Sequence, residues 1–62
     1  MHGTTTLPTG TQATKGSTFR IDGMECKVTD VDGVLVTIKR GREHLRHTGR
    51  LDGQTITWLW TE

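Results

Sequence analysis

Cysteine, proline, serine and phenylalanine each occur once in these 62 residues, and tyrosine is absent. A lone Cys26 excludes an internal disulfide and fits a reducing compartment. With Ser17 the only serine, and with no nucleophile elbow, glycine-rich phosphate loop or paired metal motif, nucleophilic or phosphoryl chemistry has no anchor. Cys26 falls on the apolar side of its segment, where a thiol acts as a small hydrophobe. The acids Asp22, Asp30, Asp32 and Asp52 scatter among turns rather than converging. The chain reads as a non-enzyme that needs no cofactor.

Long apolar runs are missing as well. The longest, Val34 to Val36 and Trp58 to Trp60, fall far short of the ~20 residues that cross a bilayer. The N-terminus has neither the basic start nor the continuous apolar stretch of a secretory leader. A soluble, cytoplasmic protein without a membrane partner is expected. Residues 1–17 hold six threonines and three glycines, with Leu7, Ala13 and Met1 as the only apolar side chains. Such a segment buries too little to offset its ordering entropy, so a disordered tail is expected, followed by one domain over 18–62. A domain that small is marginal alone, which makes self-association a reasonable source of stability.

What is present is strand chemistry. The chain carries "IDGM", "VDGV" and "LDGQ", each flanked by residues of high strand propensity, and Asp-Gly between such segments signals a hairpin. Matching apolar faces sets the register. A two-residue Asp22-Gly23 loop places Ile21 opposite Met24, Phe19 opposite Cys26 and Arg20 opposite Glu25. A three-residue Val31-Asp32-Gly33 loop, with Gly33 at a bulge, places Val28 opposite Val36, Cys26 opposite Ile38 and Glu25 opposite Lys39. A four-residue Arg40–Glu43 loop brings Ile38 beside Leu45. With Asp52-Gly53 as the last loop, Gly49 faces Ile56, His47 faces Trp58 and Leu45 faces Trp60.

The pattern predicts an all-β, five-stranded antiparallel meander curled into a small SH3-like barrel. The alternative is an open sheet completed by a homodimer. A competing reading makes 42–48 a short helix. It would have Leu45 as its only apolar residue, with Arg42 and Arg46 repelling at i, i+4.

On this register one face carries Arg20, Lys27, Lys39, Arg42, His44, Arg46 and Arg50 among threonines, with Glu25 as its main acid. Net charge is only +1, so the segregation matters more than the sum. A basic, hydroxyl-rich face suits a phosphate backbone or another anionic partner. Phe19, Trp58 and Trp60 all point inward in this register, which removes any stacking platform for single-stranded bases. The bland alternative is a solubilising, aggregation-blocking surface. A second functional reading is a protein-interaction or accessory module, of the kind found in compact bacterial, phage or plasmid genomes. It would act through a sheet edge or a Trp58/Trp60 patch. In "HLRH", His44 and His47 lie on opposite faces of a strand. With Cys26 and His2 the only other nitrogen or sulfur ligands, no metal site is expected.

Overall fold

The computed structural model describes residues 3–61. Six strands form one antiparallel sheet: β1 (Gly3–Thr6), β2 (Thr18–Ile21), β3 (Met24–Asp32), β4 (Leu35–Arg40), β5 (Arg46–Asp52) and β6 (Thr55–Thr61). Their order across the sheet is β1-β6-β5-β4-β3-β2. Strands β2 to β6 are the expected five-stranded meander, and β1 adds a sixth at the far edge of β6. The sheet curls into a half-barrel, so that Thr5 of β1 and Ile21 of β2, at its two edges, line the same cavity of roughly 250 Å³. Among the described residues there is no helix; residues 41–45, at the heart of the competing helical reading, form the irregular β4–β5 loop.

Alternation builds the core. Val28, Val36, Ile38, Ile56 and Cys26 are fully buried on the concave side, with Phe19 and Leu7 closing over them. Alternate residues of each strand face outward, as a period of two requires.

The three Asp-Gly pairs do not form the same turn. Asp22 and Gly23 both adopt positive φ (52° and 80°), the type I′ requirement, and the first hairpin has the expected pairs throughout. In the other two only glycine is left-handed, Gly33 at φ 61° and Gly53 at φ 62°. The turn residues are Gly33-Val34 and Gly53-Gln54, with glycine in the first position as a type II′ turn demands. The last loop therefore sits one residue later than expected, and the second is a two-residue turn in place of the expected three-residue Val31-Asp32-Gly33 loop. Beyond the β3 bulge in the one hairpin and next to the turn in the other, the cross-strand partners move by two. Val28 faces Ile38 rather than Val36, and Gly49 faces Trp58 rather than Ile56. Ile38 likewise faces His47 rather than Leu45, which lies exposed in the loop. The expected bulge at Gly33 is found instead between Val28 and Asp30. Because side chains alternate every residue, a displacement of two leaves the faces intact.

The N-terminal segment departs from its expected disorder. Thr4, Thr5 and Thr6 pair with Thr57, Ile56 and Thr55, and the Leu7 amide donates to the Gln54 carbonyl at 2.7 Å. Leu7 is only 3 % exposed, and Ala13 packs against the same cluster. Residues 8–17 then cross from the β6 side to β2, where the Gly16 amide donates to the Val28 carbonyl and the Val28 amide to that of Ser17. Apolar surface is not all that holds this segment: the open β6 edge offers ladder bonds to a run of threonines, residues of high strand propensity.

One irregularity changes the surface. Along β5–β6, Gly49 pairs with Trp58 but the adjacent Thr48 pairs with Trp60, so Leu59 is the extra residue of a bulge. Alternation breaks there, and Trp60 emerges on the side opposite Trp58.

Candidate functional site

The convex face is organised in rows that run across the strands. One row joins Thr18, Lys27, Lys39 and Arg46 through direct cross-strand pairs of β2 to β5. Three cations thus stand side by side, where like charges directly opposite one another destabilise a sheet. Glu25 faces Arg20 on β2 as expected, but it does not reach Lys39 on β4, because the shift of two in the β3–β4 register carries it past β4's end. Among the described residues the ion pairs are Glu43 with Arg40 at 2.8 Å and Glu43 with His47 at 3.7 Å, so none neutralises this row.

The next row is Asp30, Thr37, Thr48 and Trp60. Thr37 Oγ1 and Thr48 Oγ1 are 3.1 Å apart, and Thr29 Oγ1 donates to the Thr37 carbonyl at 3.2 Å. Thr48 is buried in this row, whereas Trp60 is 46 % exposed. A shallow depression of roughly 490 Å³ covers the area, with Arg46, Thr48 and Trp60 on one side and Asp30, Asp32 and Lys15 among its other walls. The third row holds Asp32, Leu35, Arg50 and Thr57.

The expected basic residues are distributed accordingly. Lys27, Lys39 and Arg46 meet directly, and Arg50 lies on the same side of β5, beyond Thr48. Arg42 is not on a strand, so the anticipated Arg42–Arg46–Arg50 stripe along one strand is not formed. From the β4–β5 loop, however, Arg42 shares a depression with Lys27 and Lys39, extending the row at its edge. Arg20 sits on β2 opposite Glu25. His44 is exposed in the loop and lines none of these depressions.

The two tryptophans do not form a joint patch. Trp58 is half-buried on the concave side, its Nε1 donating to Thr5 Oγ1 at 2.8 Å and its ring edge-on to His47 at 6.2 Å. Trp60 is on the other side, which overturns the expectation that every aromatic points inward. The legible hint was Gly49 opposite "WLW": a strand residue without a side chain marks a place where a partner strand can bulge.

Beneath the opposite rim, Arg40 Nε donates to Glu43 Oε1 and holds that carboxyl below the usual carboxylate range. His47 lies between Glu43 and Thr61, with Nδ1 3.1 Å from Thr61 Oγ1. Burial pushes the Cys26 thiol up. Among the described residues no three His, Cys, Asp or Glu side chains gather closely enough to hold a metal ion, and His2 lies outside those residues. Nor, among them, is any helix long and apolar enough to cross a membrane.

Comparison with protein families, curated proteins and solved structures finds no match for this chain.

Proposed function

We propose that the protein is a small cytoplasmic, non-enzymatic binding module whose convex sheet face grips nucleic acid through its phosphate backbone. The observation that carries this reading is the row of Lys27, Lys39 and Arg46, which no ion pair neutralises among the described residues. Adjacent strands are ~4.8 Å apart, so three cations in consecutive strands form a short, closely spaced line of positive charge. A sheet evolved only for solubility has no reason to set like charges directly opposite one another, since alternating signs solubilise equally well and stabilise the pairing. A polyanion relieves the repulsion and releases condensed counterions, which drives binding. Arg42 and Arg50 lengthen the charged surface in two directions, and the threonine hydroxyls supply neutral donors to phosphate oxygens. Such contacts position a strand and carry no sequence preference.

The interaction-module alternative has less support, because its Trp58/Trp60 patch is divided between the two sides of the sheet, which leaves it the sheet edges β1 and β2. The test is a triple Lys27→Gln, Lys39→Gln, Arg46→Gln variant, titrated at low salt with duplex DNA, single-stranded DNA and single-stranded RNA. A loss of at least tenfold in affinity is expected. Unchanged affinity for all three would overturn the reading.

A further inference from the structure

We infer that the ligand of this face is a single-stranded nucleic acid, with a base stacked on the outward indole of Trp60 and the backbone carried by the Lys27–Lys39–Arg46 row. This inference rests on the preceding reading and adds the strandedness of the ligand and the residue that senses it.

Three observations converge on Trp60. The bulge at Leu59 turns its ring away from the core, where every other large aromatic lies, and leaves it nearly half exposed. Its cross-strand partner Thr48 lies between Arg46 and Arg50 along β5, on the same side of the strand, and Arg46 lines the same depression as the indole. The depression it lines also contains Asp30 and the Thr37–Thr48 hydroxyl pair.

These features separate into two lanes. Neighbouring rows on one side of a sheet lie two residues apart along the strand, about 7 Å. That is the scale of the sugar between a phosphate and its base. Among the described residues the charged row holds only cations and a threonine, which suits phosphates. The adjacent row places an aromatic ring at one end and a carboxylate at the other. Asp30 repels phosphate but accepts hydrogen bonds from N–H groups on base edges, the N3–H of thymine included, so it orients the strand with bases toward Trp60 and backbone toward Lys39. A duplex keeps its base faces stacked internally and cannot offer one to a flat sheet. An unpaired strand offers each base in turn, and stacking on tryptophan tolerates any base identity.

The experiment uses the full chain with a twelve-nucleotide oligothymidylate and a duplex of equal length, at low salt. In amide and indole NMR spectra the Trp60 indole signal should move on adding the single strand, while that of Trp58, bonded to Thr5, should stay. Trp60→Ala should lower oligothymidylate affinity about 5- to 150-fold. Duplex affinity should be unaffected, and Trp60→Phe should retain most of the single-strand binding. An unperturbed Trp58 indole signal in each variant certifies the fold. If Trp60→Ala binds oligothymidylate as the parent does while the triple cation variant loses binding, the stacking inference fails and the charged-face reading stands. If neither substitution changes affinity, both fail.

Discussion

At Gly49 the β5 backbone runs directly under the Trp58 ring. A Cβ there would collide with Ile56 Cγ2 and would approach the Thr57 carbonyl oxygen and Trp58 Cε3 at 2.9 Å. Its φ is not in the left-handed region, so the requirement for glycine is one of space rather than of backbone strain. Gly49→Ala is therefore expected to destabilise the protein by about 1–3 kcal/mol through overpacking, measurable by urea unfolding. Glu43 supplies a different kind of test. The Arg40 guanidinium hydrogen-bonds its carboxylate and lowers its pKa, so the contribution to stability is present above ~4.3, the ordinary glutamate value. It is lost as pH falls through the lower folded-state value. Parent and Glu43→Gln proteins should differ in Tm at pH 6 and converge at a pH below the folded-state value. The difference should be small, because the pair is solvent-screened. A constant gap at both pH values would mean that charge is not its source. Cys26, buried and with its pKa raised, should react with a thiol reagent only at the rate of unfolding.

The elements make predictions that single residues do not. β1 is held by its ladder to β6 and by Leu7 in the core, so Leu7→Ala should cost about 2–5 kcal/mol in thermal or denaturant unfolding. No change would return residues 1–17 to the status of a loose tail. In β4, Lys39 is flanked by Lys27 and Arg46. Lys39→Glu converts two repulsive pairs into two attractive ones and should stabilise the free protein by roughly 0.2–1 kcal/mol per pair, while weakening nucleic-acid binding. Opposite signs in Tm and affinity are the signature of a charge arrangement kept for a ligand. Reading these elements from sequence succeeded where local signals sufficed. Asp22-Gly23, Phe19 and Cys26 define the first hairpin completely. Gly33 and Gly53 mark hairpins but leave open which residue follows the strand, since glycine serves either as the second turn position after aspartate or as the first. The pattern of apolar residues could not arbitrate, because both choices keep Val36, Ile38 and Ile56 on one side.

Considered whole, the molecule is a half-barrel whose convex face carries the charge, while its net charge of +1 generates little long-range field. Association should therefore depend on salt through the local contacts alone. With three phosphates neutralised, the log–log slope of single-strand affinity against salt should be about −2, and nearly flat in the triple cation variant. The all-β class, the segregation of faces and the outward side of Lys27, Lys39, Arg46 and Arg50 follow from the sequence by itself, because strand alternation encodes side with a period of two. That same period is blind to even shifts, so which cation stands beside which was decided only by the turn geometry of the folded hairpins. The β1–β6 ladder joins the two ends of the chain and exists only once the meander has presented an edge. Trp60's direction depends on one extra residue in β6, accommodated where Gly49 leaves room and Trp58 fills it. The proposed ligand face is thus written in the sequence as a side, and made into a row with a ring beside it by tertiary structure.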